Sequence, residues 1–274
     1  MRRHELSDVE WEFVRPLLPE SLRGRKRLDD RRVLNGIVWK FRTGTAWRDV
    51  PERYGPWATL HTRFRRWAAD GTFDRMLRAA QAKADAAGDI EWLVSVDSTV
   101  VRAHQHAAGA RKGGLRDPAI GRSRGGLTSK IHLACDGRGR PLAFVVTGGN
   151  TNDCTRFTAV TEAVRVPRIG PGRPRTRPDH VLGDYSSKAI RAWLRRRGIP
   201  HTIPERADQV GNRARRGSRG GRPPTFDREV YKHRNVVERC FNRLKQWRGI
   251  ATRYDKTAQS YEAAVTLASL LMWA

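Results

Sequence analysis

The chain has 274 residues, 38% of them hydrophobic, and sets 54 Lys plus Arg against 28 Asp plus Glu, for a net charge of +26 and a pI near 11.4. Such a length can bury a sizeable core, most simply as a small domain followed by a larger one, and so much positive charge makes a polyanion the expected ligand rather than an acidic small molecule. No apolar run approaches the roughly 18 residues of a membrane span, and MRRHELSDVE lacks the apolar stretch of a signal peptide, so an intracellular, cytoplasmic protein with no membrane partner is expected.

From the N-terminus, Ser7 and Glu10 carry a capping-box signature ahead of Trp11, Phe13, Val14, Leu17 and Leu18, with Pro19 closing that helix. A second helix is predicted over 29–42, stopped near Gly44. After the turn-rich WRDVPERYGPW, a third carries Leu60, Phe64 and Trp67 inward and Arg63, Arg65 and Arg66 outward, ending at Gly71. Residues 1–89 therefore read as a small all-α domain. Short turns and one arginine-rich helix suit a helix-turn-helix fold whose last helix enters a major groove, with Arg63, Arg65 and Arg66 as DNA contacts. A plain helical bundle with a basic surface has the same pattern. Trp47 and Trp57, in the turn-rich segment, are candidates for the core or for stacking on bases.

From Glu91 onward the period changes from helical to extended. Strands are predicted over 92–101, 127–135 and 141–147, the first two separated by a Gly- and Arg-rich loop and the last two by the turn DGRG. A helix over 153–164, a strand over 181–183, a helix over 188–197 and a short strand over 201–203 follow. The basic segments 165–177 and 206–222 have little apolar content and are expected to be mobile without DNA, as phosphate clamps or as solvated linkers. His104 and His106 have no third ligand nearby, and Cys135 is not spaced to complete a zinc site. The three cysteines fit a reducing compartment.

Three acids stand out. Asp97, in LVSVDSTVVRAH, interrupts a β-branched run, a poor place for a charge that does nothing. Asp184, in HVLGDYSSKAIRAWL, sits at a strand-to-helix junction with Ser186 and Ser187 as candidate N-caps, a position where aspartate is often only a cap. The third lies in YKHRNVVERCFNRLK, residues 231–245. At about 100° per residue, Tyr231, Arg234, Glu238 and Lys245 fall within an arc of roughly 60°. Val236, Val237, Cys240, Leu244 and Trp247 take the far side. Alone, that face could be an ordinary solvated one with an Arg234–Glu238 pair. Taken together, two strand-borne aspartates and a helix-borne glutamate are the oxygen ligands that hard divalent cations require.

This order and wording resemble the DDE transposases of bacterial insertion sequences, most closely the insertion-sequence-five family. Tyr231, Arg234, Glu238 and Lys245 match the family's tyrosine, arginine, glutamate, lysine signature, VDSTVVRAH its first-acid motif, and RGIATRYDKTAQSYEAAVTLASLL its C-terminal end. WRDVPERYGPWATLHTRFRRWAADG is similar to its N-terminal region, so the resemblance covers nearly the whole chain. It implies an α/β ribonuclease H-like catalytic domain over 90–274, a mixed sheet flanked by helices, behind the helix-turn-helix-like domain of 1–89. It further implies a catalytic, metal-binding triad of Asp97, Asp184 and Glu238. Two Mg²⁺ ions, which Mn²⁺ can replace, would stand about 3.5 to 4 Å apart. Tyr231, Arg234 and Lys245 would hold the DNA. The implied partners are double-stranded terminal inverted repeats and target DNA, bound by a homodimer or larger assembly at the bacterial nucleoid. A catalytically impaired DNA-binding descendant and a structure-selective nuclease of the same fold are the alternatives. One departure bears on them: the family usually has a basic and a small residue between the second acid and the tyrosine, whereas Tyr185 follows Asp184 directly. Weakened rather than lost chemistry is the expectation, with an inserted Lys-Ala pair raising activity.

Overall fold

The computed structural model describes residues 3–19, 28–108 and 119–274. The N-terminal part is helical as expected: α1 (Asp8–Val14), α2 (Asp30–Thr43), α3 (Trp57–Ala69) and α4 (Thr72–Ala86). Both halves of the capping box form, the Glu10 N–H donating to the Ser7 hydroxyl at 3.0 Å and the Ser7 N–H to the Glu10 carboxylate at 2.7 Å. Asp29 caps α2, and Gly44 ends it at φ 74°, a left-handed conformation that glycine adopts without Cβ strain.

One orientation is corrected. Arg63 does not face outward; it is 8% exposed, pairs with Asp30 at 2.8 Å and lies over the Trp67 ring. Its position on α3, one residue before buried Phe64, turns it toward α2, where Asp30 removes the cost of burying the charge. Arg65 and Arg66 are exposed. Trp47 packs among Phe41, His61 and Phe64, with centroids 5.2 to 5.9 Å apart, while Trp57 remains exposed with Arg48 over its ring.

The rest of the described chain is built on a mixed sheet: β1 (Leu93–Ala103), β2 (Gly121–Ser123), β3 (Gly126–Cys135), β4 (Pro141–Gly148), β5 (His180–Gly183), β6 (His201–Thr202) and β7 (Thr252–Arg253). Its main order is β4-β3-β1-β5-β6, with β3 antiparallel to β1 and to β4, and β5 and β6 parallel to β1. That is the ribonuclease H-like arrangement. β2 and β7 extend it at the margins, and residues 109–118 of the Gly- and Arg-rich loop lie outside the described residues. The helices are α5 (Gln105–Ala108), α6 (Phe157–Ala163), α7 (Lys188–Arg196), α8 (Ala207–Arg215), α9 (Arg228–Lys232), α10 (Val236–Lys245), α11 (Arg248–Ala251) and α12 (Ala258–Leu271). The apolar side of α10, with Val236, Val237, Cys240, Phe241 and Leu244 buried, covers the sheet over β1 and β3. α6 and α7 meet through Phe157 and Trp193.

One hydrophobic core runs from Val33, Phe41 and Trp67 through Met76 to the sheet and α12. Gln81 on α4 ties the first helices to β4 by donating to the Pro141 and Leu142 carbonyls at 3.1 and 3.0 Å. The basic segments carry more structure than their composition suggests. Val166 is fully buried and bridges to Arg175, whose guanidinium lies over Trp92, and 206–222 contains α8 and a 3-10 turn, Gly217–Gly220. An apolar anchor, the backbone bridge, a cation–π contact and an ion pair from Arg175 to Asp179 hold the first. Among the described residues no helix is long and apolar enough to cross a membrane.

Candidate active site

β1 is where the site begins. Its burial falls after Val96, because β5 pairs with it only as far as Val96, opposite Gly183. Asp97 is the first residue beyond that point, where the strand opens to solvent and a carboxylate becomes tolerable. The same register puts Asp184, which directly follows Gly183, beside Asp97 across a strand spacing of roughly 4.8 Å. The third acid arrives from α10, Glu238 standing on its exposed side one turn after Arg234.

The tract 231–245 is not one continuous helix. α9 passes into a 3-10 segment, His233–Asn235, and then into α10. His233, Asn235 and the two valines that follow are weak helix formers, which gives the break a local cause. Tyr231, Arg234 and Glu238 nevertheless reach one centre. The Arg234 guanidinium pairs with Asp97, with Asp184 at 2.7 Å and with Glu238 at 3.4 Å. The Tyr231 hydroxyl donates to Asp184 Oδ1. Ser98, which the sequence did not single out, fixes the other oxygen of Asp97 through its N–H at 2.8 Å; its only signal was adjacency. Lys245 lies farther along, its Nζ donating to the Val100 carbonyl at 3.3 Å. Arg63 stands apart in its pair with Asp30.

Burial raises the Asp97 carboxyl above the usual aspartate range; the Ser98 N–H and the Arg234 charge oppose the shift, while Glu238 and Asp184 add to it. Burial works against the charge on Arg234, yet Asp97, Asp184, Tyr231 and Glu238 outweigh it and its proton is held more tightly than usual. Burial lowers Lys245, with Glu238 in partial opposition. Tyr231 is raised by burial and by Asp184, so it stays a hydrogen-bond donor.

The apparent gap after Asp184 is closed locally. Tyr185 is buried, its ring 5.6 Å from Phe157, and the Ser186 N–H donates to the Asp184 carbonyl at 2.9 Å. The Gln209 side chain donates to the Ser186 carbonyl at 2.6 Å and accepts from its hydroxyl at 2.5 Å. Ser187 occupies the N-cap position of α7 without a side-chain capping bond.

The acceptor groups that meet at this centre are carboxylates, the donor set of a hard cation such as Mg²⁺. A cation, the Arg234 guanidinium, stands among them. Among the described residues no three His, Cys, Asp or Glu side chains are gathered closely enough to hold a metal ion. His104 meets His106 edge-on at 4.5 Å and Tyr254 at 4.9 Å, as packing rather than as a ligand pair.

The mixed sheet in this order brings two acids, at the end or opening of adjacent central strands, together with a third on the covering helix. The comparisons with known proteins give the class. A family described as "Putative transposase of IS4/5 family" matches residues 6–77, and "Transposase DDE domain" matches residues 89–273. The second match spans well over half of the chain, which belongs to the DDE-domain transposases, and the first likens its N-terminal region to the IS4/5 family. The chain is 32% identical over 146 residues to "Putative transposase for insertion sequence element IS402" of Burkholderia cepacia, covering 53% of this chain and 62% of that protein. It is 30% identical over 149 residues to "Putative transposase for insertion sequence element IS6501" of Brucella ovis, covering 54% and 98%. A 109-residue stretch is 43% identical to "Uncharacterized protein y4sN" of Sinorhizobium fredii, covering 39% and 83%.

Proposed function

We propose that this transposase binds the terminal inverted repeats of its insertion sequence and carries out metal-dependent strand cleavage and strand transfer, with Asp97, Asp184 and Glu238 as its metal ligands. The observation that carries the reading is the convergence of three carboxylates, from two strands and a helix, on one cationic centre. Divalent ions bound there would supply an activated oxygen nucleophile and neutralise charge on the leaving oxygen. The protein's own groups have distinct parts in this. The Ser98 N–H orients Asp97, and Tyr231 orients Asp184. Lys245, at the rim beside β1, meets a backbone phosphate as a point charge. The exposed Arg65 and Arg66 of α3 contact the terminal repeat, in a DNA-binding region over 1–89, and 165–177 and 206–222 bring further positive charge to the duplex. DNA ends held in pairs call for a homodimer or larger assembly, at the nucleoid of a bacterial cytoplasm.

The test is cleavage of a duplex carrying the element's own end, with and without Mg²⁺, against a scrambled duplex. Mg²⁺-dependent breaks at the element boundary are expected. Binding without cleavage would identify a DNA-binding descendant, and cleavage indifferent to the end sequence a structure-selective nuclease; either overturns the reading.

A further inference from the structure

The three acids hold a guanidinium, and that guanidinium is unlike a finished structural one. Arg234 pairs with three carboxylates, its two closest partners sharing Nη2 and the third meeting Nη1. Its Nε is buried with no hydrogen-bond partner, a cost that settled buried groups avoid. One positive charge also leaves the three acids under-compensated, an arrangement that a dication would improve. The residue sits on the three-residue 3-10 segment between α9 and α10, where hydrogen bonding is poorer than in an α-helix and the backbone adjusts more readily.

Resting on the metal-ligand assignment above, we propose that Arg234 is an internal counter-cation: without DNA it occupies the centre and keeps divalent ions out, and it leaves when a DNA phosphate takes over its guanidinium. Phosphate is the partner that its planar fork binds bidentately, so the exchange replaces one set of charge-assisted hydrogen bonds with another. Metal and DNA then bind with positive coupling, each raising the affinity for the other by the same factor. Cleavage is thereby confined to protein already seated on DNA.

The experiment is calorimetric titration of Mn²⁺ into the full chain at fixed ionic strength, with and without a short duplex, for the wild type, Arg234→Gln and Arg234→Lys. Without DNA, Arg234→Gln should bind Mn²⁺ about tenfold more tightly than the wild type, within the usual range of site-to-site coupling. The duplex should close most of that gap. Arg234→Lys keeps the charge, so it guards against loss of folding; its compact ammonium cannot fork across three carboxylates, and it should bind Mn²⁺ more tightly than the wild type by a smaller factor. Equal Mn²⁺ affinity in all three proteins, abolished by Asp97→Asn, would overturn this inference and leave the triad standing. No Mn²⁺ binding by any of them, with or without DNA, would remove the triad assignment and the inference with it.

Discussion

Two arginines, one buried on a strand and one half-buried on a 3-10 segment beside the sheet, show how different the demands on one residue type can be. Arg253, on β7, is fully buried and gives its guanidinium to backbone carbonyls: Nε to Asp255 at 3.0 Å, Nη1 to Ala119 at 3.0 Å and Nη2 to Lys256 at 3.3 Å, with the Ser129 hydroxyl at 2.9 Å and the Tyr261 ring beneath. Carbonyls of the main chain cannot be offered to anything else without unfolding the turn that carries them. Arg234 is held by carboxylates at a half-open centre, and carboxylates exchange partners. The first arrangement fixes the fold; the second leaves a site that can change its occupant.

If that division is right, substitutions around the two arginines should separate activity from stability. The largest effect is expected at the acids. Asp97→Asn, Asp184→Asn and Glu238→Gln should each lower terminal cleavage by on the order of 10³-fold, since losing roughly 4 kcal/mol of transition-state stabilisation slows a reaction that much. Filter binding to the same duplex should be retained, shifted by no more than the coupling between metal and DNA, and near-normal cleavage by any variant would take that residue out of the triad. Next, Arg253→Gln should cost about 3 to 5 kcal/mol, because it strands several buried carbonyls at once; a urea titration reads this directly, and an unchanged midpoint would place Arg253 with the exchangeable group.

A smaller effect is expected at the turn after Asp184. With Tyr185 already buried against Phe157, inserting Lys-Ala between Asp184 and Tyr185 should displace that ring and cost about 1.5 to 3 kcal/mol of burial, lowering cleavage along with stability. The sequence alone suggested a gain, and a measured gain would mean that the closed turn is a defect. The smallest effects belong to α3. Arg65→Ala and Arg66→Ala should leave stability within about 0.5 kcal/mol while each reduces the slope of log K against log[salt] by about 0.9. Arg63→Ala should do the reverse, weakening the fold through Asp30 and Trp67 with little change in slope.

Much of this was legible before the structure because it rests on short-range rules. The capping box at Ser7, the helix stop at Gly44, the three long strands, and the position of Asp97 in a strand and of Asp184 after one follow from local pattern. What escaped depended on partners distant in sequence. Arg63 reads as one of a run of surface arginines until Asp30 of another helix comes to meet it. Arg234 reads as the i,i+4 partner of Glu238, yet its nearer contacts are with acids far away in the chain, and the 3-10 break that lets it reach them leaves only a weak trace in helix propensity. The closing of the turn after Asp184 needed Gln209, from a segment whose composition suggests no structure at all.

The central claim is that Asp97, Asp184 and Glu238 act as one unit. The measurement that tests it most directly is the cleavage rate of the triple variant against the three single variants, on terminal DNA at fixed Mg²⁺ and salt. Ligands of a shared centre are grossly non-additive, so the triple variant should be no slower than the slowest single one. Losses that multiply across the three positions would show three independent contributions and contradict the account.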